Sequence, residues 1–451
     1  MRSANSGELS VRYGWFALGL LFVVALFNYI DRTILSIMQV ALKRDLGLSD
    51  TQLGTLTGLS FALFYTTLAL PVARLADRTA RKYVLAAALT VWTLMTAASG
   101  LAAGYLTLLA CRVGVAVGEA GCVPATHSLI SDYFPRRRRA LAMAVWGLSL
   151  PLGGMLGFAF GGKLTAALGW RETFFVVGLS GLAMMPVTLL FLREPRRGRF
   201  DPPQPPAHGR RRTIRESLAL LWRIRAYRYL VIGEALQAWA QNGMMAWNAP
   251  FYSRLHAMPL AEIATWLALI VGGGGAAGTF LGGAIAERLG KRDVRWYMRV
   301  PAIAAAITVP FALVQYFVPD PTLSMLAAIV PATMVNVYLA PGNAVSQTLA
   351  PPDMRAFTSA VFVLVVSVGG QGFGPTVVGA LSDLFASQGG LGEASLRYAL
   401  PTVVVPALAA AVLFWRSSVH LRDEMAPLHE SDLEEAAEPA EPAATIVAPA
   451  R

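Results

Sequence analysis

The octapeptide LADRTARK at residues 75–82 recurs as IAERLGKR at residues 285–292, with an offset of 210 residues. The residues that correspond are Asp77 and Glu287, Arg78 and Arg288, Arg81 and Lys291, and Lys82 and Arg292. Each copy is a short charged stretch that follows the second long apolar run of its half of the chain. The repeat therefore predicts a chain built from two related halves.

The composition is typical of a protein that crosses a membrane many times. Of the 451 residues, 55% are hydrophobic and only 14% are charged, whereas soluble domains carry about a quarter charged residues. A membrane-spanning helix needs about 20 mostly apolar residues. Such runs are read at 14–40, 51–74, 83–103, 105–130, 140–162, 173–192, 228–252, 261–286, 297–318, 322–346, 356–384 and 396–416. The expected fold is an all-α membrane protein with twelve transmembrane helices in two pseudo-symmetric six-helix bundles.

The breaks between apolar runs define four expected segments. An N-terminal bundle covers residues 1–192, and a Pro- and Arg-rich linker covers 193–227, with a short amphipathic helix predicted at 213–223. A C-terminal bundle covers residues 228–420. The Ala-, Glu- and Pro-rich tail at 421–451 has the composition of a disordered segment.

The net charge of +11 reflects membrane topology. Of the 38 Lys and Arg residues, 30 fall on alternate segments, six fall on the other side, and two lie inside apolar runs. Basic residues concentrate in cytoplasmic loops, so both termini are expected in the cytoplasm. The distribution predicts a multi-pass membrane protein, with the lipid bilayer and not a nucleic acid as its partner. The short loops between the apolar runs fit a cell inner membrane.

Several motifs resemble the major facilitator superfamily. The loop ARLADRTARK is similar to the loop motif of that family, although Ala73 and Ala80 stand where glycine is usual, while the second copy keeps Gly283 and Gly290. NYIDR in the first span, CRVGVAVGEAGCVPATHSLISDYFP in the fourth and GWRETFF before the sixth are similar to the Spinster-like branch. The resemblance implies the major facilitator fold and a transport function.

Charged residues lie inside the first and fourth apolar runs. An ionisable residue within a span is costly and usually marks an ion or substrate path. At about 1.5 Å per residue, Asp31, Arg32 and Arg112 share a depth and Glu119 lies deeper; Asn28 shares a helix face with Arg32. We predict proton coupling at Asp31 and Glu119, and binding of an anionic group by Arg112, with Arg32 and Asn28. The resemblance implies the same roles.

A structural alternative remains open for these charges. The pairs Asp31–Arg32 and Arg112–Glu119 would then only neutralise each other and hold helices together.

The seventh apolar run is polar and aromatic where the first is charged. At the 210-residue offset, Asp31 and Arg32 correspond to Gln241 and Asn242, within QAWAQNGMMAWN at residues 237–248. Such a surface suits the adaptable, partly apolar wall of a substrate pocket. The residues assigned to this wall are Gln237, Trp239, Gln241 and Trp247. Ordinary packing between helices is the alternative.

The repeated charged loops are candidates for a gate. Asp77 and Arg81, with Asp132 at the end of the fourth span, are predicted to form a latch that closes the cytoplasmic face in one state. The looser counterpart in the second half consists of Glu287, Arg288 and Lys291. The alternative is a solvated loop that only maintains topology.

No motif for catalysis, a metal or a cofactor is present. GGGGAAGTF at residues 272–280 lacks the G-K-[ST] ending of a phosphate-binding loop, and no ATPase domain is evident. We therefore expect a secondary active transporter, not an enzyme, that works as a monomer by alternating access and is coupled to protons. The resemblance, more than the residues, implies a small organic or lysolipid-like anion as its substrate. Two alternatives are proton-driven efflux of hydrophobic cations and a non-transporting receptor on the same fold.

Overall fold

A computed structural model of the protein describes residues 11–200, 213–350 and 354–437, in which all regular elements are helices. Eleven helical segments of this part of the chain are long and apolar enough to cross a membrane. A further helix of 31 residues, Arg225–Leu255, is as long but more polar. We number these twelve helices α1 to α12 in chain order.

The N-terminal half contains α1 (Arg12–Leu46), α2 (Asp50–Ala76), α3 (Arg81–Ser99), α4 (Tyr105–Tyr133), α5 (Arg137–Leu168) and α6 (Trp170–Phe191). The C-terminal half contains α7 (Arg225–Leu255), α8 (Leu260–Gly290), α9 (Trp296–Phe317), α10 (Pro321–Leu349), α11 (Phe357–Ser387) and α12 (Gly392–Met425). In the N-terminal half α1 packs against α5, and in the C-terminal half α7 packs against α12. Apolar side chains fill the space between the helices.

The two halves contact each other through α1 and α7, α2 and α11, and α5 and α8. Glycines bring the backbones of α2 and α11 together, because a Cβ at Gly54 would lie 2.4 Å from Pro375 O and one at Gly58 would lie 2.6 Å from Gly372 O. Helix α11 changes to π-helical geometry at Ser367–Gly372, and α8 does so at Ala268–Gly273. Small residues at helix contacts allow such close approach in membranes.

The segment between the halves is only partly described. Its first residues dock on the N-terminal half, since Glu194 accepts hydrogen bonds from Arg81 Nε and Lys82 N, at 2.7 and 3.0 Å. The structure has the predicted short helix at Ile214–Arg223, where Thr213 Oγ1 caps the Glu216 amide at 3.2 Å. The Pro-rich stretch 201–212 lies outside the described residues. The domain limits at 192, 227 and 420 stay predictions.

The last helix continues beyond the membrane segment. Helical structure extends over Val404–Ala437, so the tail predicted at 421–451 begins inside a helix. Residues 438–451 of that tail lie outside the described part of the chain.

Candidate substrate and proton site

A cavity of about 240 Å³ lies between the two halves. The N-terminal half lines it with Tyr29, Arg32, Thr33, Ser36, Thr57, Phe61, Arg112, Leu150 and Gly154, and the C-terminal half with Asn242, Met245, Ala246, Gln371 and Pro375. Both arginines predicted from the apolar runs therefore reach the same cavity. The cavity is charged on one side, and neutral polar or apolar on the other.

Asp31 is held by two donors from neighbouring helices. Thr96 Oγ1 of α3 donates to Asp31 Oδ1 at 2.6 Å, and Arg112 Nη1 of α4 donates to Oδ2 at 3.2 Å. Asp31 is 1% exposed and Arg112 is 2% exposed. Arg112 Nε has no hydrogen-bond partner among the described residues. The Arg112 side chain also lines the cavity.

Arg32 pairs with Glu119 and is surrounded by aromatic rings. Its Nε donates to Glu119 Oε2 at 2.7 Å, while its guanidinium carbon lies 4.6 Å from the ring centre of Phe61 and 4.8 Å from that of Tyr65. A cation over an aromatic face is attracted by the ring electrons. Glu119 is fully buried, and within the described structure its Oε1 accepts no hydrogen bond. The buried pair therefore leaves one carboxylate oxygen unsatisfied.

The observed ion pairs have different partners from those that the structural alternative assumed. Asp31 pairs with Arg112, and Arg32 pairs with Glu119, instead of Asp31 with Arg32 and Arg112 with Glu119. The reason is helical geometry, because neighbouring residues point about 100° apart around a helix and residues seven apart are separated by about 10 Å along it. Both ion pairs therefore connect α1 to α4, and each contains one carboxylate and one arginine.

Most other predicted binding residues lie beside the cavity and do not line it. Gln241 donates to Asn336 Oδ1 at 2.6 Å and accepts from Tyr338 Oη at 3.2 Å, and it lines a separate pocket of about 40 Å³ in the C-terminal half. Trp247 is fully buried and donates to Pro375 O at 2.8 Å. Trp239 contacts the ring of Phe373.

Two further predicted residues are buried amides. Asn28 is 3% exposed and Gln237 is 1% exposed. Asn28 Nδ2 and Gln237 Oε1 have no hydrogen-bond partner among the residues that the structure describes.

The residues of the predicted latch lie at the end of the molecule where α3 begins and α4 ends. Arg81 contacts Asp132 and donates to Glu194 Oε1 at 2.7 Å and to Ser128 Oγ at 2.8 Å. These contacts all lie within the N-terminal half and the segment that follows it. Arg81 and Asp132 therefore do not connect the two halves in this conformation. The side chain of Asp77 lies outside the described residues.

The counterpart in the second half is solvated. Glu287 and Lys291 form an ion pair at 3.1 Å one helical turn apart, and both side chains are exposed. Arg288 is also exposed.

An ion cluster at the opposite end, which the sequence did not suggest, does connect the two halves. We call it the closed-end cluster: Lys43, Asp50, Arg254, Ser382 and Asp383. Asp50 accepts from Lys43 Nζ at 2.7 Å, from Arg254 Nη1 and Nη2 at 2.9 Å each, and from Ser382 Oγ at 2.6 Å. The Asp383 carboxylate accepts from the Asp50 and Thr51 amides at 3.0 and 2.7 Å, at the start of α2.

Two six-helix halves, built mostly of helices that are long and apolar enough to cross a membrane, with a cavity between them, are an architecture typical of solute transporters. The chain belongs to the Major Facilitator Superfamily, whose family profile matches residues 21–375. Membership confirms the predicted fold and shows a membrane transporter, not an enzyme.

The chain is similar over nearly its whole length to two known proteins. It is 32% identical to an MFS-type efflux pump of Mycolicibacterium smegmatis, over 92% of this chain and 95% of that protein. It is 28% identical to a solved bacterial homologue of the human lysosomal transporter Spinster in an inward-facing and unoccupied conformation. That structure superposes with a TM-score of 0.82, over 92% of this chain and 99% of the other. The predicted similarity to the Spinster-like branch is confirmed.

A hexuronate transporter of Bacillus subtilis is 30% identical over 39% of this chain and 41% of its own length.

Proposed function

We propose that this protein is a secondary active transporter that moves a small organic or amphiphilic, lysolipid-like anion across the membrane, coupled to protons. The observation that carries the proposal is the Asp31–Arg112 pair, which is buried and connects α1 to α4 at the wall of the central cavity. An arginine offers a planar fork of donors that matches a carboxylate or phosphate group. A substrate anion and Asp31 would therefore compete for Arg112.

Competition for Arg112 provides a mechanism of coupling. When a substrate anion engages Arg112, Asp31 loses its cationic partner while Thr96 still donates to it. An ionised carboxylate that is buried without a partner costs several kcal/mol or more. Substrate binding would therefore favour a proton on Asp31, and return of Arg112 would release it. Glu119, fully buried against Arg32, is the second predicted proton site.

The surroundings of the arginines favour an amphiphilic substrate. Phe61 and Tyr29 line the cavity on one side and Met245 on the other. Aromatic and methionine side chains offer apolar area that adapts to the shape of a ligand. An anionic head group at Arg112 would leave the apolar part of the substrate against these side chains. The hexuronate transporter among the relatives is consistent with an organic anion.

Alternating access is proposed for the movement of the two halves. The closed-end cluster holds α2 against α7 and α11, at the ends of these helices that the charge distribution places outside the cell. In this orientation both termini would lie in the cytoplasm of a cell with an inner membrane, and the closed-end cluster would face away from the cytoplasm. The cluster would have to open for the cavity to reach the other side. We propose that one chain suffices, as a monomer.

Efflux of hydrophobic cations is a second candidate. The specific observation in its favour is the similarity to the mycobacterial efflux pump over 95% of that protein's length. In that case Asp31 and Glu119 would attract the cation, and the arginines would only hold the carboxylates in place. Neutralising Arg112 would then leave transport largely intact, whereas the anion hypothesis predicts its loss.

Reconstitution in liposomes tests the proposal. Wild type, Asp31→Asn and Arg112→Gln would be compared, with a pH-sensitive dye trapped inside and a panel of lysolipids, organic anions and cationic drugs added outside. The matched control is Glu262→Gln, which removes an exposed carboxylate in the first turn of α8.

We expect anion-driven proton flux in wild type and in the control. Asp31→Asn should abolish proton flux while substrate binding survives, and Arg112→Gln should abolish anion binding. Equal flux with and without the Asp31 carboxylate would show that the pair is structural. Cation flux that survives Arg112→Gln would support efflux, and no flux across the whole panel would favour a receptor.

A further inference from the structure

Glu234 on α7 is a buried carboxyl group that the mechanism above does not use. Its side chain is 1% exposed, and Oε1 is fully buried with no hydrogen-bond partner among the described residues. In the same part of the chain no Lys, Arg or His forms an ion pair with it, unlike Asp31 and Glu119, which each have an arginine. Glu234 is therefore a deeply buried acid without a compensating charge.

The space for this carboxyl group exists because residue 342 has no side chain. A Cβ built on Gly342 of α10 would lie 1.5 Å from Glu234 Oε1 and 2.7 Å from its Cδ. The carboxyl group thus fills the position of the missing side chain between α7 and α10. Because the carboxyl group fits tightly against the backbone of Gly342, it has a defined position between the two helices.

Polar side chains lie between Glu234 and the cavity region. Gln237 and Gln241 follow it at three- and seven-residue spacing, which places all three on one face of α7. Tyr338 Oη donates to Gln241 Oε1 at 3.2 Å, and the phenols of Tyr227 and Tyr338 lie within electrostatic reach of Glu234.

This polar face leads towards the central cavity. Gln241 and Met245 line the 40 Å³ pocket, and Met245 also lines the 240 Å³ cavity. A route for protons between Glu234 and the cavity would therefore be short and lined by amide and phenol groups.

We propose that Glu234 is a proton-binding site of the C-terminal half, loaded in the present conformation and exchanging with the cavity past Gln237 and Gln241. An ionised carboxylate without a partner is too costly in such surroundings, whereas the protonated acid is neutral. The acid also provides an O–H donor one turn from Gln237 Oε1, which lacks a donor among the described residues. Its use in transport, as a proton carried in addition to that of Asp31, rests on the proposed proton coupling.

Infrared spectroscopy of the full-length protein in lipid tests the site without requiring transport. The C=O stretch of a carboxylic acid is distinct from the bands of a carboxylate and shifts in D₂O. Spectra would be recorded at neutral and alkaline pH for wild type, Glu234→Gln and Glu234→Leu. The control is Glu287→Gln, because Glu287 is exposed and paired with Lys291.

We expect wild type and the control to share an acid band at neutral pH that both Glu234 variants lose and that alkaline pH removes. Glu234→Leu also lacks the carboxyl group and provides the same comparison if Glu234→Gln does not fold. Spectra without any difference in the acid region would overturn the proposal.

A flux measurement separates this site from the proposed coupling. If wild type is coupled, Glu234→Gln should carry fewer protons per substrate, and an unchanged ratio would show that the site is not used in transport. An acid band in a protein without any proton flux would confirm the site and refute the coupling.

Discussion

The closed-end cluster gives the sharpest prediction about the proposed conformational cycle. Asp50→Asn keeps the shape of the side chain but removes its negative charge. Lys43, Arg254 and Ser382 all donate hydrogen bonds to the carboxylate oxygens of Asp50. The Asp50 and Arg254 side chains are 2% and 5% exposed, so water can replace little of the lost ion-pair energy. The substitution should therefore weaken the contact between the two halves at this end.

The magnitude follows from the burial of the pair. Breaking a buried ion pair costs about 3–5 kcal/mol, because one charge is left without compensation. Glu393 lies 3.8 Å from Arg254 Nε and Lys43 is partly solvated, so the lower end, about 3 kcal/mol, applies. That shifts the equilibrium between closed and open at this end by about 150-fold. A transporter that cycles has both states within a few kcal/mol of each other, so the shift should be visible.

Double electron–electron resonance, which measures the distance between two spin labels, detects this shift in the equilibrium between the closed and open states. Labels at Arg44→Cys and Gln388→Cys, both exposed and on different halves, would be placed in a background in which Cys111 and Cys122 are replaced. Wild type should give mainly the short distance, and Asp50→Asn mainly a longer one.

The matched control for this measurement is Asp45→Asn. Asp45 lies near the same end but accepts from Trp170 within the N-terminal half, at 2.8 Å. We expect this variant to keep the short distance of wild type. A distance distribution for Asp50→Asn that matches the control would refute the reasoning.

Three further substitutions test the site itself. Thr96→Val removes the 2.6 Å hydrogen bond to Asp31 and should lower stability by about 1.5–3 kcal/mol, seen as a lower thermal midpoint that Thr96→Ser restores. Phe61→Leu removes the ring 4.6 Å from the Arg32 guanidinium and should weaken substrate binding by about 0.5–2 kcal/mol, measured as affinity. Gly342→Ala places a methyl group in the space of the α7 carboxyl group and should cost about 1–3 kcal/mol in thermal unfolding.

Much of the fold could be predicted because hydropathy is a local property of the sequence and the repeat can be read directly by comparing the two halves. Eleven of the twelve predicted apolar runs coincide with helices that are long and apolar enough to cross a membrane within the described residues. The twelfth, α7, is more polar because it carries Glu234, Gln237, Gln241 and Asn248. Its remaining residues, among them Leu230, Leu236 and Met244, are apolar enough for a run at 228–252 to be predicted from the sequence.

The partners of the charges could not be predicted, because they depend on how helices rotate and approach each other. Spacing along α1 and α4 placed Asp31, Arg32, Arg112 and Glu119 near one another but did not show that the pairs are crossed. The closed-end cluster was missed for a related reason. Asp50 and Arg254 lie near helix ends, where charges are usually solvated, and only the meeting of α2 with α7 buries them.

The first helix of each half connects the central site to the closed end. On α1, Asp31 and Lys43 are twelve residues apart, and on α7, Gln241 and Arg254 are thirteen apart, which is about 18–20 Å along each helix. Because a helix of this length moves nearly as a rigid body, a shift of α1 that follows the release of Arg112 would also displace Lys43.

The charge asymmetry between the halves gives this connection a direction. The ion pairs beside the cavity involve α1 and α4, while α7 presents amides there. Under the proposed coupling, substrate and protons would therefore act first on the N-terminal half, and the C-terminal half would respond where Arg254 meets Asp50. If this holds, the label distance at the closed end should depend on substrate in wild type. In Asp31→Asn, where Arg112 has lost its carboxylate partner beforehand, that dependence should largely disappear.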